Sequence, residues 1–268
     1  MQLVRRNRVI FAVLFIIICS FATGCNEKSE GDSSYLSNDT TTIQKLAYNR
    51  SRGSMYRIGI EENGELVPYL VLTDDYNGDC LLLREYLLEE EACYSPEKSQ
   101  GTNGGYYPNS NIDNYLDTVY FSMLSPDVQR KLIDKSISVS TLEGVSAGGS
   151  VRTTESIQRK TFLLSATELN IKSGMASIEG KPLSYFKKGE NLVATTKDGD
   201  AKAYWLRSAY HWDDIQAWAI GADGGYGGNS VSVNLAVRPA FCLDCNEKVI
   251  KSDNTLNAEE IYILIPQK

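Results

Sequence analysis

One unbroken apolar run near the N-terminus decides which part of this chain is left to fold. Val9 to Cys19 carries no polar side chain, and after Ser20 the apolar character resumes at Phe21 and Ala22. Arg5, Arg6 and Arg8 precede the run. A membrane-spanning helix needs about 20 apolar residues, whereas a removable export signal is shorter and closes on small residues. This run closes on Ala22-Thr23-Gly24-Cys25. Residues 1–24 are therefore expected to be cut away, and 268 minus 24, or 244 residues, remain to build a fold.

Small side chains ahead of a cysteine suit a peptidase that cuts just before it, after which the Cys25 thiol carries diacylglycerol. The motif resembles the lipobox of bacterial lipoproteins, with Ala22 standing where Leu is commoner. Cys19 is a poorer attachment point because Ile17 and Ile18 before it are bulky and branched. The competing reading is an uncleaved anchor helix, and either way the rest of the chain is expected to face outward. Removing three arginines and no acids changes 27 basic and 34 acidic residues to 24 and 34, so the net charge moves from −7 to −10. A negative body repels phosphate backbones and anionic lipid. Nucleic acid is thus not an expected partner, and the membrane must be held by acyl chains. One chain anchors only marginally, and a diacylglyceryl cysteine supplies two. The expected location is the outer face of the cell membrane.

Cys80, Cys93, Cys242 and Cys245 remain. Thiols outside the cytoplasm tend to pair, and four of them allow three connectivities. Cys242 and Cys245 would lie about 10 Å apart in an extended strand, too far to bridge without a turn at Leu243-Asp244. A cysteine metal site lacks a second close pair and supporting histidines.

Residues 25–54 are read as the lipidated cysteine and a flexible spacer, since Asn26 to Thr42 is rich in Ser, Asp, Glu, Asn and Thr. Residues 55–268 are read as one domain. Met55 to Ile60 and Tyr69 to Leu72 suit strands joined at Asn63-Gly64, and Cys80 to Tyr86 suits a third after Asn77-Gly78. Ile112, Tyr115, Leu116, Val119 and Tyr120 share one helical face behind a Ser110 cap. A second helix starts at Ser125-Pro126 and turns Val128, Leu132 and Ile133 inward. Phe162-Leu163-Leu164 reads as a buried strand, and Ser165-Ala166-Thr167-Glu168 as a capping box opening a helix. Tyr204 to Ser208, Gln216 to Ile220, the alternating Val231 to Val237 and Ile261 to Ile265 make the last third β-rich. Helices early and antiparallel strands late point to an α+β class.

The pieces Val71-Leu72, Leu81-Leu82-Leu83, Phe162-Leu163-Leu164-Ser165-Ala166-Thr167-Glu168, Trp205-Leu206-Arg207-Ser208 and Val237-Arg238-Pro239-Ala240 occur in an order and spacing that resembles the bacterial domain of unknown function 6273. That family is common in surface and secreted proteins. Its pattern runs "W-x-V-L", a leucine-rich strand, a "W-x-x-S-x-x-R-x-W-L-N" helix, "F-L-L-S-x-x-E", "W-L-R-S", a glycine turn and "V-R-P-A". The resemblance covers about Met55 to Leu243. Tyr69 stands near the family's first Trp, and the helix Ser110 to Asp117 lacks the family's Trp and Arg. The tail is also similar to C-type-lectin-like domains of the formylglycine-generating and related kinds. By analogy this implies one α+β domain with an antiparallel sheet, a few short helices, chain ends that meet and a long loop region on one side. The family brings no established activity with it.

No catalytic constellation is legible. A nucleophile needs a base beside it, and the sole histidine, His211, sits between Tyr210 and Trp212; a pair with Cys242 has no supporting spacing. Asp74-Asp75 and Asp213-Asp214 lie next to turn residues and read as solvated loop acids. No cofactor is expected. Calcium is the metal that Asp213, Asp214, Asp223 and Asn229 would take if their loops met. Gly221 to Asn229 lacks a phosphate-loop ending and reads as a hairpin connection. Trp205, Arg207, Ser208, Arg238 and Pro239 read as structural motif residues, the arginines as internal ion pairs or hydrogen-bond donors to loop carbonyls, with recognition of a ligand carboxylate the lesser alternative. Tyr210, Trp212 and Tyr226 are the candidate ligand-contact residues, since loop aromatics offer large contact area with a polar handle. The expected role is a non-enzymatic recognition or adhesion domain for a glycan or a surface protein. The alternatives are a cell-envelope hydrolase acting through His211 or loop carboxylates, and a purely structural envelope module.

Overall fold

Two Asn-Gly turns set the main sheet. The computed structural model describes residues 40–51, 53–98, 103–146, 151–256 and 259–265; Cys25 lies outside them. Thr40–Thr42 (β1) and one helical turn, Ile43–Leu46 (α1), come first. Arg57–Glu62 (β2), Glu65–Tyr76 (β3) and Asp79–Arg84 (β4) then form an antiparallel meander. Its turns are Asn63-Gly64 and Asn77-Gly78, all four residues at positive φ, the backbone a two-residue hairpin needs to match strand twist. Ala92–Cys93 (β5) precedes three short helices, Asn111–Tyr115 (α2), Phe121–Met123 (α3) and Pro126–Lys131 (α4). Lys135–Ser140 (β6), Leu142–Ser146 (α5), Thr154–Arg159 (β7) and Thr161–Phe162 (β8) follow. After a long stretch without strands come Tyr204–Ala209 (β9), Gln216–Ile220 (β10), Tyr226–Ser230 (β11), Asn234–Leu235 (β12), Ala240–Leu243 (β13), Lys248–Leu256 (β14) and Glu259–Leu264 (β15).

The largest sheet has the order β1-β14-β15-β2-β3-β4-β13-β8. All its pairs are antiparallel except β15 against β2. Beside it stand a three-stranded sheet β11-β10-β9 and two ribbons, β6-β7 and β12-β5. The class is α+β, with antiparallel and mixed sheets and a few short helices. Strands β4 and β13, with Leu81, Leu82, Leu83, Phe241 and Cys242 all at 0% exposure, lie at the centre of the core. Strands covered on both faces read as continuous apolar runs, as Leu81-Leu82-Leu83 does. Cys80 pairs with Cys245 across this centre, and Cys93 and Cys242 are free thiols.

The folded body starts before the expected boundary at Met55. Strand β1 pairs with β14 through Thr40–Thr42, and Ile43 and Leu46 are buried. Thr and Ser composition alone suggested a solvated spacer there, but an edge strand of three residues needs no apolar side chains once a neighbour supplies its hydrogen bonds.

Three local expectations change. The helix over 111–120 becomes π-helical at Leu116–Tyr120, so Ile112, Leu116 and Tyr120 stay buried while Val119 is 43% exposed. The wider winding rotates Val119 off the face that regular periodicity assigns it. Ser110 does cap this helix, accepting from the Asp113 amide, whereas Ser125 makes no side-chain cap although Pro126 begins α4. Finally, the alternation over Val231 to Val237, which suits a half-buried strand pair or a bent strand, forms a strand only at Asn234–Leu235, and Val233 is 39% exposed. Asn234–Leu235 pairs with β5, Ala236 bridges Tyr204 of β9 in parallel, and a Val233-to-Ser230 turn hydrogen bond breaks the run.

Candidate functional site

Strand β9 is buried at all six positions, so its one charged residue, Arg207, needs its counter-charge inside the protein. Glu168 supplies it. Arg207 Nη1 donates to Glu168 Oε2 at 2.7 Å and Nη2 to Oε1 at 2.8 Å, with both side chains at 0% exposure. The guanidinium also donates to the backbone carbonyls of Ser138, Leu163 and Glu179. Burial alone would lower the Arg207 pKa, and the adjoining Glu168 outweighs that and holds it above its ordinary value. A buried pair is tolerated only when geometry is good and the remaining polar atoms are satisfied, which is the case here.

Glu168 is placed by the capping-box residues. The Ser165 amide donates to Glu168 Oε2 at 2.9 Å and the Glu168 amide to Ser165 Oγ at 3.1 Å. The reciprocal bonds of a capping box thus form, but they close a single turn and open no helix. Ser208 accepts from the Ala166 amide and donates to Glu179 Oε2. Glu179 also takes the Ser140 amide and hydroxyl. Burial pushes the Glu179 carboxyl up, with Arg207 and the serine hydrogen bonds pulling it back. The pieces Ser165 to Glu168 and Trp205 to Ser208 are therefore two halves of one buried lock. Trp205 fixes the strand's other side through Nε1 to the Ala92 carbonyl at 2.8 Å.

His211 follows directly and is 1% exposed. Its Nδ1 lies 3.0 Å from the Gly144 carbonyl, which assigns the proton to Nδ1. Nε2 then accepts from Ser177 Oγ at 2.8 Å. A serine hydroxyl on a histidine nitrogen is the geometry of an activated nucleophile, but Ser177 is also 1% exposed, which leaves no room for a substrate carbonyl at its oxygen. Burial lowers the His211 pKa, so the ring is neutral and acts as an internal clamp. Ser140, Ser177 and Glu179 were not legible as parts of this cluster, because isolated serines and an acid before a glycine carry no spacing signal.

The three candidate contact residues separate. Tyr210 and Tyr226 flank Trp218, with ring centroids at 5.2 and 6.0 Å. A Cβ on Gly228 would meet the Tyr210 ring at 2.5 Å, so glycine there lets the ring lie across β11. Trp218 itself is 3% exposed and donates to the Met175 carbonyl. Trp212 stands apart on the β9–β10 loop at 73% exposure, and Tyr226 is 53% exposed. The loop under Trp212 is pinned by Tyr210 N to Gln216 O, Asp213 N to Tyr210 O and Gln216 N to Asp213 O.

The remaining candidates are structural in their contacts. Arg238 donates to the carbonyls of Arg84 and Glu85 and lies over the Tyr204 ring. Pro239 accepts from the Arg84 amide. Asp213 and Asp223 each accept the amide two residues ahead, as short turns do. Among the described residues no group of three or more His, Cys, Asp or Glu is disposed to hold a metal. Gly221 to Asn229 forms the β10–β11 turn and also most of strand β11.

A family model described as "Domain of unknown function (DUF6273)" matches residues 77–245, well over half of the chain. The match takes in the Leu81, Ser165, Trp205 and Arg238 pieces and begins after Val71-Leu72. No curated protein and no solved structure matches the chain.

Proposed function

The chain belongs to the DUF6273 family, and on that footing we propose that it is a lipid-anchored extracytoplasmic lipoprotein whose body is a non-enzymatic recognition domain. The anchor is Cys25, following the cleavage signal over residues 1–24. The one observation that carries the recognition reading is the pairing of Trp212 with His211. Trp212 projects 73% of its surface from a loop whose preceding residue is 1% exposed and hydrogen-bonded on both ring nitrogens. An indole held out by a fixed loop loses little entropy on binding, and such aromatics dominate binding energies.

A C-type-lectin-like arrangement is part of the proposal. Its support is that β1 and β2, from the start of the body, pair with β14 and β15 at its end, and that a long strand-free stretch separates β8 from β9.

The test is binding of the full chain to envelope glycans and surface-protein extracts, comparing wild type with Trp212→Ala. The variant is expected to bind at least tenfold more weakly at an unchanged melting temperature. Equal binding of the two proteins to every fraction would overturn the role of the loop, and an unmodified Cys25 by mass spectrometry would overturn the anchor.

A further inference from the structure

A cavity of about 490 Å³ lies on the far side of the Arg207–Glu168 lock. Its first wall is the tip of the β3–β4 hairpin, with Thr73, Asp75, Tyr76 and Asn77. The second is the β6–β7 ribbon, with Ser136, Ser138 and Ser156. The third is the segment 180–184, including Lys181 and Pro182. The volume falls in the range of small-molecule sites.

Each wall is fastened to the buried pair. Tyr76 donates its hydroxyl to Glu168 Oε1 at 2.6 Å. The Ser138 carbonyl accepts Arg207 Nε at 3.0 Å. The Leu183 amide donates to the Glu168 carbonyl at 3.0 Å, and Gly180 sits so close to Glu168 that a Cβ there would be 2.8 Å from Oε1. The first two walls are also stapled to each other, Asn77 Nδ2 to Ser136 O at 3.1 Å and Lys135 Nζ to Asn77 O at 2.9 Å. The cavity is thus formed before any ligand arrives, and preorganisation of this kind lowers the cost of binding.

We infer that this cavity is a binding site for a neutral polyhydroxylated ring, a sugar residue either free or ending a glycan chain. The lining selects that class. The hydroxyls of Ser136, Ser138 and Ser156 carry no hydrogen bond to another described residue, and each both donates and accepts, as a sugar hydroxyl does. Asp75 adds an acceptor and Lys181 a donor, so the lining charges balance and favour neither an anion nor a cation. An apolar ligand would strip water from the serine hydroxyls without replacing it. Arg207 and Glu168 act as positioning residues that set the spacing of the walls and touch no ligand. The site is separate from the Trp212 loop, so the two readings fail independently.

The experiment is saturation-transfer-difference NMR and calorimetry on the full chain, in a detergent without a sugar headgroup. The probes are glucose and N-acetylglucosamine, then maltotriose and chitotriose, with sodium acetate and spermidine as charged comparators. The expected result is saturation transfer from at least one neutral sugar, weakened tenfold or more in Asp75→Ala and in Ser138→Ala, and unchanged in Lys197→Ala, an exposed position outside the lining. Stronger binding of the trisaccharide than of its monomer would mark a glycan end as the natural ligand, and equal binding a free sugar. Either variant has its melting temperature measured, and Ser156→Ala replaces one that fails to fold. Absence of transfer from all four sugars overturns the inference. So does equal affinity in the Asp75→Ala/Ser138→Ala double variant, or displacement of the sugar by acetate or spermidine. Loss confined to Trp212→Ala would move the sugar to the loop, leaving the recognition domain standing and this cavity without a ligand.

Discussion

Arg207 and Glu168 meet side by side through two parallel hydrogen bonds of 2.7 and 2.8 Å, although 39 positions separate them in the chain and neither side chain reaches solvent. Removing one partner of a buried pair leaves a naked charge and costs about 3–5 kcal/mol. Arg207→Met and Glu168→Gln are each expected to destabilise by that amount. The double variant should cost clearly less than their sum, because the second change removes the charge the first one stranded. Urea midpoints of the four proteins check this, and simple additivity would refute the coupling.

Trp212 and Trp218 are six residues apart and should respond oppositely to truncation. Trp218 packs between two tyrosines at 3% exposure, and Trp218→Ala is expected to cost about 3–5 kcal/mol. Trp212→Ala removes an exposed ring and should change stability by no more than about 0.5 kcal/mol. Thermal unfolding of the pair separates the two roles.

Gly180 and Gly189 both have positive φ, +95 and +74. Alanine at either bears the backbone strain of about 1–2 kcal/mol. At Gly189 nothing lies within 4 Å of the added carbon, whereas at Gly180 the Glu168 carboxylate does. Gly180→Ala is therefore expected to be the more destabilising by at least about 1 kcal/mol. Equal midpoints would mean the 180–184 segment can move away from Glu168.

Burial lowers the His211 pKa, so between its ordinary value near 6.5 and its folded value the unfolded chain binds the proton more readily. The contribution of His211 is thus complete above about pH 6.5 and is lost as pH falls toward the folded value. Glu179, whose pKa burial raises, works the other way: its contribution is complete below its unfolded pKa and is lost as pH rises through the folded one. The difference in urea midpoint between wild type and His211→Asn isolates the histidine and should narrow from pH 7.5 to pH 5.5. A gap that stays constant would place the ring in contact with solvent.

The hairpins and the motif residues could be read from the chain, for physical reasons that stop at short range. Asn63-Gly64 and Asn77-Gly78 dictate their turns through backbone conformation, and Ser165 with Glu168 dictates a reciprocal cap. Leu81-Leu82-Leu83 reports burial on both faces. The joining of Glu168 to Arg207 was not legible, because a long-range ion pair leaves no periodic trace. Nor was the role of Ser140 and Ser177, whose neighbours are set by tertiary packing. The π-helical turn at Leu116–Tyr120 shifts Val119 outward against the local period. Tyr210, Trp212 and Tyr226 are close in sequence, yet Trp212 leaves the other two because the loop that carries it is tied down at His211.

Cys80 and Cys245 bound nearly the same stretch that the family model covers. Almost every strand and loop of the family region thus lies inside one covalent ring. A protease that cuts a single exposed connection within that ring opens it without releasing a fragment, since both new ends stay joined through the sulfurs. Damage of that kind passes unseen on an electrophoresis gel until a reductant is added. If the domain is exported as proposed, the ring turns a first proteolytic nick from a loss of material into a local opening.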